Sequence, residues 1–151
     1  MLARLAATFV LALLVSPPAP AQNDGVVRVK SAYSMEETLA RIKADVTAKG
    51  IMHFAEIDQA KLAAGAGIAL RPSTLLIFGN PPLGTLFITA KPEAGLDWPV
   101  RLLVSQDDSG QVWAIYNDFK WIAERHGIAN RQGEFATASG VIASITATIR
   151  P

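Results

Sequence analysis

Two alternating segments, Val100 to Gln106 and Gln111 to Asn117, flank Asp107-Asp108-Ser109-Gly110, and no other feature restricts the fold of this chain so sharply. Turn residues between two period-two runs predict a hairpin, whose strands are antiparallel by construction. A wholly parallel sheet is thereby excluded, and the elements around the hairpin must join a sheet that already contains an antiparallel pair.

Gly25 to Ser31 alternates valine with Arg28 and Lys30, as a half-exposed strand does. Ser34 with Glu37 reads as a capping box, and Met35, Leu39, Ile42 and Val46 form a helical stripe that Gly50 stops. Glu37 with Arg41 and Asp45 with Lys49 sit at the supportive i,i+4 spacing. Ile51 to Ile57 reads as a second strand, with Ile51, His53, Ala55 and Ile57 on one face and Met52, Phe54 and Glu56 on the other. Asp58 then opens a short alanine-rich helix ended by Gly65 and Gly67. Thr74 to Phe78 is a continuous apolar run, the pattern of a strand covered on both faces. Asn80-Pro81-Pro82 starts another helix, striped by Leu83, Leu86, Phe87 and Ala90 and closed by Pro92. After the hairpin, Asp118 caps a helix that ends at Gly127. A last helix carries Phe135, Ala138, Ile142, Ile145 and Ile149, with the small residues Gly140, Ala143 and Ala147 allowing close packing. The order strand, helix, strand, helix, strand, helix, hairpin, helices predicts an α+β fold, a mainly antiparallel sheet with its helices packed in one layer.

Residues 1–21 read as an export signal. Arg4 is their only charge, Leu5 to Val15 is apolar, and Ala19-Pro20-Ala21 supplies the small-x-small cleavage pattern. The mature chain is expected to begin at Gln22 and form one domain over 22–151, periplasmic or secreted, with no membrane insertion after cleavage. There is no cysteine, which removes disulfides, lipid attachment at the cleavage point, thiolate metal ligands and thiol catalysis together. About 130 residues can bury a sufficient core unaided. Without Arg4 the chain carries 13 basic and 13 acidic residues and no basic run, so no nucleic-acid partner is expected.

From Phe54 to Tyr116 four motifs follow in order: Ile57-Asp58-Gln59-Ala60, Phe78-Gly79-Asn80-Pro81, Trp98-Pro99-Val100-Arg101 and Val112-Trp113-Ala114-Ile115-Tyr116. The string resembles the bacterial domain-of-unknown-function 302 family. That resemblance implies a compact α+β domain of the TATA-box-binding-protein-like class of topologies, and implies no chemistry. Many members of the family look to have histidine after the aspartate, where this chain has Gln59. The departure removes an Asp-His pair.

Each residue that could carry function also has a structural reading. Asp58 could be a general base or an anchor in a cleft, yet an aspartate before Gln59-Ala60-Lys61-Leu62 is what an N-cap requires. Gly79-Asn80-Pro81 could offer backbone N–H groups to a carboxylate or phosphate, or could simply turn and cap. His53 has acidic neighbours in sequence, and His126 stands in a last helical turn, where it favours the dipole. Arg101 is either a solvated strand residue or aimed at a carboxylate ligand. Trp98, Trp113, Tyr116 and Trp121 cluster late in the chain, with Trp113 and Ile115 facing away from Tyr116, so one set lines the core and the other is free to form a cleft or a subunit contact. No nucleophile elbow, P-loop, Rossmann glycine spacing or metal-ligand set is present, and neither a metal nor a cofactor is expected. The leading expectation is an exported, non-catalytic module binding a small molecule or a periplasmic protein through Asp58, Gly79, Asn80 and Arg101. The alternatives are a small hydrolase- or lyase-like enzyme with His53 or Asp58 as general base, and a homodimeric structural or stress-related protein.

Overall fold

The computed structural model describes residues 24–151, so the export signal expected at 1–21 lies outside the described residues. The elements run β1 (Val26–Lys30), α1 (Met35–Ala48), β2 (Met52–Asp58), α2 (Gln59–Gly65), β3 (Ser73–Gly79), α3 (Pro81–Ala90), a 3₁₀ turn (Pro92–Leu96), β4 (Val100–Gln106), β5 (Val112–Asn117), α4 (Phe119–His126) and α5 (Gln132–Ala147). The hairpin forms with Gln106 opposite Val112. Around it the sheet takes the order β1-β5-β4-β3-β2, and every neighbouring pair is antiparallel. The α+β fold read from the sequence is therefore the fold of this chain.

Alternation along the strands decides which side is core. Leu76 and Phe78 of β3, Leu102 and Val104 of β4, and Val112 and Ala114 of β5 are buried against Ile42 and Val46 of α1 and Phe135, Ile142 and Ile145 of α5. Burying each large side chain of this set contributes about 2 kcal/mol. Two threonines join them: Thr38 meets Ser31 through a hydroxyl pair at 2.7 Å, and Thr146 donates to the carbonyl of Ile142 at 2.9 Å, so both lie inside with their polar atoms satisfied.

The other face behaves differently from the expectation for Thr74 to Phe78. Leu75 and Ile77 are half-buried, because they point away from the core helices. A row of apolar partners, Ile57, Leu75, Leu103 and Ile115, crosses four strands on this open face. Tyr116 belongs to the set that packs on the core, and Trp113 and Ile115 belong to the open side.

Local chemistry explains the element ends. Ser34, Asp58, Asn80 and Asp118 each cap a helix through the side-chain oxygen, accepting from the backbone N–H of Glu37, Lys61, Leu83 and Lys120. Among the described residues Glu37 makes no return bond of a capping box; its carboxylate instead takes Arg41 at 2.8 Å. Gly127 ends α4 in the left-handed conformation at φ 62°. Pro92, expected to close α3, opens the 3₁₀ turn, since its fixed φ suits a first helical position. Among the described residues no helix is long and apolar enough to cross a membrane.

Candidate functional site

The residues singled out in the sequence do not assemble into one cleft. Asp58 sits opposite Thr74, whereas Met52, at the other end of β2, sits opposite Gly79 next to Asn80. At about 3.3 Å per residue, the length of a strand, about 20 Å, separates Asp58 from Asn80. A register shift between His53 and Ala55 sets His53 opposite Phe78 and Ala55 opposite Ile77, so His53 leaves the face it was expected to share with Ala55 and Ile57. His53 and Asp58 are both exposed and stand five residues apart along β2. The cleft expected from Asp58, Asn80 and Arg101 is therefore not formed: Asp58 stands at the far end of β3 from Asn80, and Arg101, opposite Ile77 near the Asn80 end, lies on the open face with Ile77.

Arg101 has a different partner. Its guanidinium donates to the carbonyl of Leu96 at 2.6 Å and to Asp97 Oδ1 at 3.0 Å. Arg125 donates to both oxygens of the same carboxylate, at 3.3 and 3.1 Å, and His126 Nε2 lies 2.7 Å from Asp97 Oδ2. The Asp97 side chain is 1% exposed and that of His126 6%. This cluster pins the end of the 3₁₀ turn to β4 and to the last turn of α4. Arg101 and His126 were singled out; Asp97, which joins them, was not, because 29 residues separate it from His126. Among the described residues no group of three or more His, Cys, Asp or Glu could hold a metal ion.

What the fold does form is a half-open apolar cavity of about 310 Å³ between the core face of the sheet and helices α3 and α5. Phe78 and Val100 form its floor, Leu83 and Phe87 one side, and Ala138, Val141 and Ile142 the other. Phe87 is stacked on Phe135 at 4.1 Å between ring centroids, which holds that wall in place. Trp98 closes the end near Gly79 and Gly84, and Phe54 meets the Trp98 ring edge-on at 6.0 Å. The indole rests on bare backbone: a Cβ added to Gly84 would lie 1.9 Å from Trp98 Nε1 and Cε2, and one on Gly79 would lie 3.2 Å from Nε1. The Phe78-Gly79-Asn80-Pro81 and Trp98-Pro99 motifs, distant in sequence, are thus two halves of one packed corner of the cavity.

The polar lining is sparse. Its polar residues are Lys49, Asn80 and Thr137, and Trp98 adds an indole ring to the wall. Lys49 is paired with Asp45, and Thr137 donates to the carbonyl of Gly133 at 2.9 Å. Asn80 Oδ1 is committed to the cap, accepting from Leu83 N at 3.1 Å. Nor can the first turn of α3 serve an anion in the way the sequence allowed. Pro81 and Pro82 have no N–H, Leu83 gives its own to Asn80 Oδ1, and Gly84 gives its own to the Asn80 carbonyl at 2.9 Å.

Comparison with known proteins adds the following. A family model described as "Domain of unknown function DUF302" matches residues 27–149. The chain is 40% identical over 112 residues to a protein of Brucella suis biovar 1 (strain 1330) named "Fluoride-specific ion channel FluC 1", covering 74% of this chain and 44% of that relative. A protein of the same name from Brucella abortus biovar 1 (strain 9-941) is also 40% identical over 112 residues, with 42% of its length covered. The chain thus spans less than half the length of these curated relatives. A crystal structure of an uncharacterized conserved DUF302 protein from Bacillus stearothermophilus has a TM-score of 0.76 at 16% identity, covering 84% of this chain and 99% of that one. At that identity the likeness concerns the fold.

Proposed function

The chain belongs to the domain-of-unknown-function 302 family, and from that premise we propose that it is an exported, non-catalytic module that holds a small apolar molecule between its sheet and helices α3 and α5. The observation that carries this reading is the 310 Å³ cavity, which falls at the lower end of ligand-site volumes and is lined by aliphatic and aromatic side chains with few polar groups. His53, Asp58 and Arg101 all lie outside, and the Lys49 and Thr137 that do line it are engaged with Asp45 and with the Gly133 carbonyl, so the lining favours binding over turnover. The channel name of the curated relatives stays with them, since more than half of each lies outside the match. Export follows from the amino-terminal pattern of Arg4, Leu5 to Val15 and Ala19-Pro20-Ala21.

Native mass spectrometry of the unwashed protein, run beside metal analysis, tests the reading. A stoichiometric organic mass that is lost on denaturation is the expected result; a bare species that also takes up no apolar compound from solution would sink it.

A second reading, the homodimer, draws on the open face. The row Ile57, Leu75, Leu103 and Ile115 is apolar on both sides of β4, the middle strand, as an isologous contact between two copies requires. Sedimentation velocity over a wide concentration range would show a rising mass average, and a strict monomer throughout would remove this option.

A further inference from the structure

Resting on the cavity reading above, we propose that the site selects an uncharged apolar molecule carrying one acceptor oxygen, such as a ketone or ester, and rejects the carboxylate of the same size. Three observations on the lining converge on that class. First, the positive charge that Lys49 brings to the lining is already met, because Lys49 is paired with Asp45. Second, the α3 terminus has no spare backbone donor in its first turn: two prolines lack one, and the amides of Leu83 and Gly84 are both bonded to Asn80. An anion here would lose its water without gaining a charge partner, which is costly in an apolar site.

Third, the groups left over are donors. Asn80 spends its oxygen on the cap, so its Nδ2 amide is what it can offer a ligand. The Trp98 indole nitrogen makes no hydrogen bond among the described residues, and its ring packs on Gly79 and Gly84 at the end of the cavity. An indole N–H donates and never accepts. Two neutral donors beside an apolar chamber complement one neutral acceptor. The rest of the ligand is held by Leu83, Phe87 and Val141, which reward apolar surface and discriminate little by shape.

Three matched probes separate the terms: toluene has no acceptor, acetophenone has a neutral one, and benzoate has a charged one. Their dissociation constants are measured at neutral pH on the protein produced from the full sequence, by Trp fluorescence and by thermal shift. Acetophenone is expected to bind at least about tenfold more tightly than benzoate, and about fivefold or more tightly than toluene, the yield of one hydrogen bond. In Asn80→Asp the cap is retained, since aspartate caps as well as asparagine, while the amide donor is replaced by a carboxylate. The variant should keep its melting temperature and lose about fivefold or more in acetophenone affinity. Should Asn80→Asp alter folding, Asn80→Ser, which keeps a cap oxygen, reads the same loss.

Benzoate binding as tightly as acetophenone, or toluene doing so, overturns the selectivity and leaves the cavity reading standing. Unchanged acetophenone affinity in folded Asn80→Asp also overturns it. Failure of all three probes, with no organic mass retained on purification, removes the cavity reading itself.

Discussion

Gly84 lies on α3 beneath the Trp98 ring, and the absence of a side chain there is what lets the indole seat. With a Cβ at 1.9 Å from the ring, Gly84→Ala must push Trp98 off the helix. Its gain in helix propensity of about 1 kcal/mol is outweighed by overpacking of about 1–3 kcal/mol. Urea unfolding should therefore register net destabilisation, with altered Trp emission in the folded state. Gly79→Ala, at 3.2 Å from the same ring, should cost less. Asp97 poses the opposite problem. It is a buried carboxylate whose three partners lie on two elements, β4 and α4, so Asp97→Asn leaves Arg101 and Arg125 without their counter-ion and weakens the hydrogen bond to His126. Half of each arginine side chain remains in water, which moderates the loss of a buried pair to about 2 kcal/mol. Equilibrium denaturation checks that value, and an unchanged midpoint would mean that the cluster contributes no net stability.

At the level of elements, the hairpin loop is organised by one side chain. Asp107 Oδ1 accepts from the Ser109 hydroxyl at 2.6 Å and from the backbone N–H groups of Ser109 and Gln111, while Oδ2 accepts from Trp113 Nε1 at 2.8 Å. The Ser109 and Trp113 side-chain bonds lead in drawing its pKa down from 3.8 to about 2. A carboxyl depressed on folding adds stability that is complete above its unfolded value and is lost as pH falls. The hairpin should therefore loosen between about pH 4 and pH 2, reported by Trp113 fluorescence, and Asp107→Asn should flatten that acid limb. A variant with the same acid response as the parent would place the titration elsewhere.

At the level of the whole molecule, the cavity and the export pattern make separate predictions. Secretion should yield a chain whose first residue is Gln22, read by intact mass; retention of residues 1–21 would contradict export. A ligand that enters the cavity at a hundred times its dissociation constant should stabilise the fold by about 2.7 kcal/mol, raising the melting temperature by several degrees for a domain of this size. A bulky substitution within the lining, Ala138→Leu, should abolish that ligand-induced rise and leave the sheet intact by circular dichroism. The open row from Ile57 to Ile115 belongs to this scale too, since only a second surface could bury it.

Much of this protein was written locally. Caps at Ser34, Asp58, Asn80 and Asp118, the stop at Gly127 and the Asp107 loop all arise from side chains acting on backbone within a few residues, so spacing alone predicts them. The antiparallel α+β fold follows from the hairpin and from the alternation of the strands. Asp97 with His126, and Gly84 with Trp98, are pairs made across 29 and 14 positions of chain, where no periodicity carries information. The bulge at His53 depends on pairing with β3, and the separation of Asp58 from Asn80 depends on which strand ends lie together. The sequence by itself determined the elements, their ends and the class of fold, because those are set by short-range sterics and hydrogen bonding. Tertiary structure alone decided that the motifs build a cavity corner and that the first turn of α3 has no amide left to give, because both depend on where distant segments come to rest against each other.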